Sequence, residues 1–197
     1  MQVEVRKQEK TQHLIEEMVP LSDELIKRTL HAVPYSLFNG ATFIPTVACG
    51  VLEHILQQRP NISIAVADFD YLPPSQATNT PVNSSLSSIP AQNSPIITDM
   101  NDIDHACYLE ANSQELLCDI LFPTDFQRLA SFCKYQRSNL DVKVSKQADF
   151  LTDVAKDDME LTKGWLTGYS PLLDDFGNCS VLRVSSGRTE QRSISGK

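Results

Sequence analysis

The sequence has few glycines, and they are widely spaced. Its 197 residues include only seven, and no two of them are one or two residues apart. Turns that bring the backbone against a nucleotide phosphate or S-adenosylmethionine need closely spaced glycines, because side chains would block the approach. The chain therefore lacks the glycine motif of P-loop, dinucleotide-binding and S-adenosylmethionine-binding turns.

Basic residues and long apolar runs are also scarce. There are 17 Lys and Arg residues against 25 Asp and Glu residues, which leaves a net charge of −8 at pH 7. A broad nucleic-acid surface needs clustered basic side chains, and a membrane span needs about 20 consecutive apolar residues. We therefore predict no nucleic-acid partner and no membrane span. No targeting segment is visible in the first ten residues, which mix acidic and basic side chains.

Cysteine and histidine patterns give little support for a metal site. The five cysteines include no Cys-x-x-Cys pair, which suits reduced thiols in a cytosolic or matrix-like compartment. His105 and Cys107 with the distant Cys118 form only a weak set of zinc ligands, so we predict no metal site. A Ser-His-Asp triad stays open as an alternative, although no Gly-x-Ser-x-Gly elbow supports one.

The spacing of apolar residues predicts alternating helices and strands in one domain, residues 1–184. Predicted helices cover residues 12–18, 22–32 and 46–58, and two more begin at Ser145 and Ser170. Predicted strands cover residues 62–69, 95–98, 106–109, 142–144 and 179–184. Residues 75–94 are rich in Ser, Thr, Asn, Gln and Pro, which predicts a flexible loop, and the polar residues 185–197 predict a disordered tail.

The clearest local module is a strand followed by a capped helix. Residues 116–122 form a short apolar run that Pro123 ends, as expected for a buried strand. Thr124 and Gln127 have the spacing of a capping box. The helix that follows carries apolar residues at helical spacing.

Four aspartates lie in or just after the predicted strands at 62–69 and 116–122. Asp68 and Asp70 end the strand at 62–69, and Asp119 and Asp125 belong to the module at 116–135. Open α/β sheets usually bind their ligands at the carboxyl ends of strands. The four aspartates are therefore candidate site residues. The alternative is that Asp68 and Asp70 only cap a turn or the next segment.

Three stretches and a weaker fourth match one known family. They are Ile44-Pro-Thr46 leading through a helix to Ala67-Asp-Phe-Asp-Tyr-Leu-Pro73, Asn93-Ser-Pro-Ile-Ile-Thr98, Asp119-Ile-Leu-Phe-Pro-Thr-Asp-Phe126 and, more weakly, Gly168-Tyr-Ser-Pro-Leu-Leu-Asp-Asp-Phe-Gly-Asn178. Together they resemble the MidA-like methyltransferase family, which includes the mitochondrial complex I assembly factor that methylates an arginine on a complex I subunit. The resemblance runs from about residue 12 to 184 and corresponds to the family's carboxyl-terminal half.

The resemblance implies an α/β fold, namely the carboxyl-terminal part of a Rossmann-like class I methyltransferase sheet, mostly parallel with an antiparallel edge. Residues 62–69 would be its fifth strand, and residues 116–122 and 179–184 its terminal pair. The family's glycine turn and ribose-binding acid belong to the other half, so the domain at 1–184 would be incomplete. S-adenosylmethionine is the implied cofactor, but we do not expect this chain alone to bind it.

The resemblance also implies a function. The chain would be a member of an S-adenosylmethionine-dependent protein arginine methyltransferase family, mitochondrial and linked to complex I assembly, with a protein substrate such as a complex I subunit. Asp68, Asp70, Asp119 and Asp125 are the candidates for the carboxylate that orients the arginine guanidinium. The alternative is a non-catalytic interaction module, or a truncated fragment that lacks the cofactor site. The sequence leaves open whether the chain is an enzyme.

Overall fold

The computed structural model describes residues 2–7, 14–32, 41–72, 91–101, 103–105 and 118–186. The strands in these ranges are β1 (Gln2–Lys7), β2 (Leu14–Val19), β3 (Ala41–Thr42), β4 (Ser63–Phe69), β5 (Ala91–Gln92), β6 (Ile96–Asp99), β7 (Asp104–His105), β8 (Cys118–Leu121), β9 (Leu140–Lys146) and β10 (Cys179–Ser186). The helices are α1 (Glu24–Ala32), α2 (Thr46–Gln58), α3 (Phe126–Gln136), α4 (Gln147–Val154), α5 (Lys156–Leu161) and α6 (Pro171–Asp174). None of the helices in these ranges is long and apolar enough to cross a membrane.

The central sheet has three strands in the order β4-β10-β9. β10 pairs antiparallel with both neighbours, so that Leu182 lies opposite Val66 on one side and Val144 on the other. Its middle position explains why Leu182 and Val184 are fully buried. Because β4 and β9 both run opposite to β10, their carboxyl ends lie at the same edge of the sheet. This edge carries Asp70, just after β4, and Lys146, the last residue of β9.

The hydrophobic core lies between this sheet and the helices α2 and α3. The buried members from the sheet and these two helices are Cys49, Leu52, Leu56, Phe126, Leu129, Ala130, Phe132, Cys133, Leu140, Leu182 and Val184. The buried residues of α2, Cys49, Leu52 and Leu56, are three and four residues apart, as expected for one face of an amphipathic helix. The core therefore fixes the positions of the amino-terminal ends of α2 and α3 beside the sheet.

Three smaller pairings complete the described strands. β6 lies between β7 and β8 in a second antiparallel sheet, and β1 pairs antiparallel with β2. β3 and β5 make a parallel pair of only two residues each. The strand predicted at 95–98 is confirmed as β6, which pairs with β7, whereas the strand predicted at 106–109 lies outside the described residues.

The prediction of a mostly parallel, Rossmann-like sheet is wrong. Both three-stranded sheets are antiparallel throughout, and β3–β5 is the only parallel pairing in the described part of the chain. The predicted terminal pair is wrong as well, because β8 pairs with β6 and not with β10. An apolar run indicates that a strand is buried but does not specify its neighbours or their direction. β4 in fact alternates between exposed and half-buried residues over most of its length.

The structure also differs from the predictions in one helix, in the predicted tail and in the predicted loop. Residues 12–18 do not form the predicted helix, since Leu14–Val19 is a strand held by cross-strand bonds to β1. β10 continues to Ser186, two residues into the predicted tail, and β5 lies inside the predicted loop at 75–94. The rest of that loop up to residue 90, and the tail from residue 187, lie outside the described residues.

Candidate functional site

Asp70 lies at the carboxyl end of β4, where it contacts the other two strands of the central sheet. Its Oδ2 accepts a hydrogen bond from Lys146 Nζ at 2.5 Å and another from the Ser180 hydroxyl. Its backbone N–H donates to the Asn178 carbonyl at 2.9 Å. Its Oδ1 is buried and has no hydrogen-bond partner. Asp70 thus ties the ends of β4, β9 and β10 together and keeps one buried acceptor unused.

The electrostatics of Asp70 favour its charged form. Burial by itself would raise the pKa of this carboxyl, but hydrogen bonds from Lys146 and Ser180 and the Lys146 charge lower it on balance. A carboxylate that accepts such bonds is held in its ionised state. Asp70 is therefore a charged anchor at neutral pH, neutralised by Lys146.

Asp68 is more available than Asp70, because its side chain is exposed. Its Oδ2 accepts a hydrogen bond from Thr124 Oγ1 at 2.7 Å, and its Oδ1 accepts one from the Phe69 backbone N–H at 2.8 Å. The Thr124 N–H also donates to the Phe69 carbonyl at 2.8 Å. A carboxylate has about four acceptor sites, so Asp68 retains acceptor capacity toward solvent.

Asp125 serves mainly as the cap of α3. Its Oδ1 accepts from the Arg128 backbone N–H at 3.1 Å, and its Oδ2 accepts from Arg128 Nε at 2.7 Å. The predicted capping box of Thr124 with Gln127 is therefore wrong. The Thr124 hydroxyl is directed to Asp68, and the next residue takes over as N-cap.

The structure does not bring Asp119 together with the other three aspartates. It is exposed in the middle of β8, opposite Thr98 of the second sheet. Asp119 belongs to the second sheet, whereas Asp68 and Asp70 lie at the end of β4 in the central sheet. Asp119 is therefore the weakest of the four candidates, and it offers a natural control for experiments on Asp68.

A cavity of about 350 Å³ adjoins Thr124 at the start of α2. It is lined by Phe43, Ile44, Pro45, Thr46, Val47, Ala48, Asn93, Phe122, Pro123, Thr124 and Asp125. Most of this lining is apolar, and the rings of Phe43 and Phe122 lie 5.5 Å apart. α2 begins without a side-chain cap, and Asn93 Nδ2 is buried without a partner. An apolar cavity beside an uncapped helix start fits an apolar group that also presents an oxygen acceptor, such as a peptide carbonyl, to the first helical N–H groups.

The stretches that carry the family resemblance meet around this cavity and the end of β4. Residues 44–46, Asn93 and residues 122–125 line the cavity, and Thr124 links it to Asp68. Asn178, at the end of the fourth stretch, donates from Nδ2 to the Tyr71 carbonyl at 3.0 Å. These segments are far apart in sequence, so their meeting is a property of the fold.

Lys146 and Ser180 were missed as site residues by sequence reasoning. Neither lies in a recognisable motif, and their hydrogen bonds to Asp70 span 76 and 110 residues of sequence. Ser180 lies near the start of the strand predicted at 179–184, whereas Lys146 lies in the helical segment predicted from Ser145, so the sequence offered no common signal. Partners at such separations follow from strand pairing alone.

The described residues do not fit a metal ion or S-adenosylmethionine. No group of three His, Cys, Asp or Glu side chains among them could hold a metal. His105, a candidate ligand, instead has its Nε2 at 3.2 Å from Asp99 Oδ2, and Cys107 lies outside the described residues. No glycine lines the cavity, so nothing there offers the close backbone approach that S-adenosylmethionine requires.

Comparison with known proteins leaves the site to be interpreted from its own residues. Neither the protein-family models, nor the curated proteins, nor the solved structures gave a match to this chain. What can be used is the chemistry of the strand-end site, which we define as Asp68, Asp70, Thr124, Lys146 and Ser180 together with the adjoining cavity. It combines the exposed carboxylate of Asp68, the Asp70 carboxylate that is neutralised by Lys146, and the apolar cavity.

Proposed function

We propose that the chain acts in protein arginine methylation, as a relative of the S-adenosylmethionine-dependent, MidA-like family linked to mitochondrial complex I assembly. Its strand-end site would receive an arginine of a protein substrate, such as a complex I subunit. One observation carries the proposal: the four stretches that resemble the family, distant in sequence, meet around one cavity and one pair of acidic residues. Scattered matches due to chance would have no reason to meet.

The chemistry of the site supports arginine as the group it receives. Asp68 is exposed and keeps acceptor sites free. A guanidinium pairs with a carboxylate through two parallel hydrogen bonds, a geometry that a lysine ammonium cannot reproduce. The neighbouring cavity would hold apolar residues beside the arginine, next to the uncapped start of α2.

The proposal assigns positioning of the substrate to this chain. In the family, S-adenosylmethionine supplies the methyl group, but the described residues do not fit that cofactor. The contribution that we derive for these residues is therefore to orient the guanidinium at Asp68 while Lys146 keeps Asp70 neutralised. Holding a reacting group in a fixed orientation removes a large part of the entropic barrier of a bimolecular reaction.

A second candidate function is a non-catalytic interaction module. Two of the candidate carboxylates already form ion pairs inside the chain, Asp70 with Lys146 and Asp125 with Arg128. In a binding module without catalysis, we would expect these carboxylates to stabilise the fold in this way. Such a module would bind a protein segment without any preference for arginine over lysine.

Calorimetric titration with two matched peptides tests the proposal. One peptide has the sequence Gly-Leu-Arg-Leu-Gly with blocked ends, and its twin carries Lys in place of Arg. We expect the arginine peptide to bind more tightly, and Asp68→Asn to weaken it about tenfold, since a hydrogen bond to a charged group contributes about 1.5–3 kcal/mol. Asp119→Asn is the control, because it removes an exposed carboxylate away from the site.

Two outcomes would contradict the proposal. Equal binding of the two peptides would favour the interaction module. Equal effects of Asp68→Asn and Asp119→Asn would show that only the overall charge matters. A parallel titration with S-adenosylmethionine should show no binding, since the described residues offer no site for it.

A further inference from the structure

Several large apolar side chains are exposed to solvent at the end of α5 and just after it. Leu161, Trp165 and Leu166 are 86%, 90% and 76% exposed, and the nearby Tyr169 is also exposed. Single exposed apolar residues are common in soluble proteins, but four large ones within nine residues indicate an interaction surface. We call residues 161–169 the Trp165 loop.

The Trp165 loop is well ordered by its own hydrogen bonds. The Gly164 N–H donates to the Tyr169 carbonyl at 2.8 Å, and the Gly168 N–H donates to the Gly164 carbonyl at 2.7 Å. The hydroxyls of Thr162 and Ser170 lie 2.8 Å apart, and Ser170 is only 1% exposed. The apolar side chains are thus presented by a closed turn. A rigid surface loses less conformational entropy when it binds.

Acidic residues flank the loop on both sides. They are Asp157, Asp158, Glu160, Asp174 and Asp175. Between residues 155 and 178 only Lys156 and Lys163 oppose them, which leaves three net negative charges, and Lys163 is paired with Glu160 at 2.6 Å. The exposed apolar cluster therefore lies within a negative field.

This combination of charges selects among the possible occupants. An anionic membrane surface would repel the acidic flanks, although exposed Trp and Leu side chains otherwise suit membrane interfaces. A second copy of the chain would bring two negative surfaces together. A segment with both apolar and basic side chains satisfies the cluster and the flanks at once.

We propose that the Trp165 loop docks a basic, amphipathic segment of a partner protein. Trp165 lies at the centre of the surface, where tryptophan is the side chain that most often carries binding energy, and its ring can also stack with a cation. Leu161 and Leu166 add further exposed apolar surface in the same loop, and the acidic flanks would pair with the basic residues of the segment. This surface uses none of the residues of the strand-end site and goes beyond the function proposed for it.

The chain itself provides a specific reporter for this interaction. Trp165 is the only tryptophan in the sequence, so intrinsic fluorescence reports on the centre of the surface. The probe is an amphipathic peptide of Leu and Lys without aromatic residues, and its twin carries Glu in place of Lys. We expect the Leu–Lys peptide to shift the emission to shorter wavelength with a saturable curve, while the Leu–Glu peptide leaves it unchanged.

Two variants separate the loop from the general charge of the protein. Leu166→Ser should weaken peptide binding about tenfold, the loss typical of a contact residue in a docking site. The control is Met100→Ser, which removes an equally exposed apolar side chain, 78% exposed, outside the loop. Both variants retain Trp165 as the reporter and alter only exposed positions.

Several results would overturn the proposal. They are no shift with the Leu–Lys peptide, the same loss in both variants, a shift with vesicles of anionic lipid, and a shift on concentrating the chain alone. The vesicle result would assign the surface to a membrane, and the concentration result would assign it to a second copy.

Discussion

Replacing Lys146 by methionine tests the anchor that joins the three strand ends. The substitution keeps most of the aliphatic side chain and removes the ammonium that lies 2.5 Å from Asp70 Oδ2. Hydrogen bonds to charged groups contribute about 1.5–3 kcal/mol, whereas exposed ion pairs contribute about 0–1 kcal/mol. Lys146 is 49% exposed and Asp70 only 21%. The expected loss in the free energy of unfolding is therefore intermediate, about 1–2 kcal/mol.

This loss should depend on pH in a defined direction. The pKa of Asp70 in the folded state is lowered from its ordinary value. A lowered carboxyl pKa contributes stability that is fully present above the unfolded-state value, near 4, and is lost as the pH falls through the folded-state pKa. The difference between the wild type and the variant should be largest near neutral pH and should shrink below about pH 4.

Urea unfolding at neutral pH and at about pH 3 measures both quantities. Lys134→Met is the matched control, because Lys134 is an exposed lysine on α3, and its loss should stay within about 0.5 kcal/mol. If Lys146→Met costs no more than Lys134→Met, or costs the same at both pH values, the anchor does not act as argued.

Two further predictions concern the glycines of the carboxyl-terminal region and the buried thiols. Gly168 has a φ of +69°, so Gly168→Ala should destabilise the chain by about 1 kcal/mol in urea unfolding. Gly177→Ala, whose added Cβ meets no atom within 4 Å, should change stability by less than about 0.5 kcal/mol; equal losses would contradict the conformational argument. Burial raises the pKa of Cys49 to about 12 and that of Cys133 to about 11, so iodoacetamide should label neither until urea unfolds the chain. Rapid labelling of the native chain, detected by mass spectrometry, would show that these thiols are not buried.

Local sequence patterns predicted several elements close to their observed bounds. The apolar, β-branched run at 62–69 is β4, the run at 46–58 is α2, and the helix after Pro123 is α3. These elements are encoded by the spacing of neighbouring residues, which is why they could be predicted. The apolar spacing does not by itself define the buried face of α2, since Val47 and Val51 are apolar but 75% and 53% exposed.

The arrangement of the strands could not be predicted in the same way. β10 lies between β4 and β9 because its inward-facing residues, among them Leu182 and Val184, are buried by partners from distant parts of the chain. Nothing in the local pattern distinguishes this antiparallel arrangement from a parallel one. The family resemblance suggested the parallel alternative, and that expectation was wrong.

The candidate site was predictable only in part. Asp68 lies near the end of β4 and Asp70 just after it, where the sequence predicted a strand end. Their partners depend on the fold, since Thr124 lies 56 residues from Asp68. The same holds for Asp125, which was identified as a site candidate but caps α3. Sequence thus identified the acidic residues, and the structure assigned a different role to each.

The most direct test of the proposed function is to map arginine-peptide binding residue by residue. Backbone amide chemical shifts of the labelled chain, followed during titration with the Gly-Leu-Arg-Leu-Gly peptide, report which amides change. The account predicts that the largest changes fall at residues 67–71, at Asn93 and at residues 122–125, and that the lysine twin produces much smaller ones. Changes confined to residues 161–169, or an equal response to both peptides, would contradict an arginine site at the end of β4.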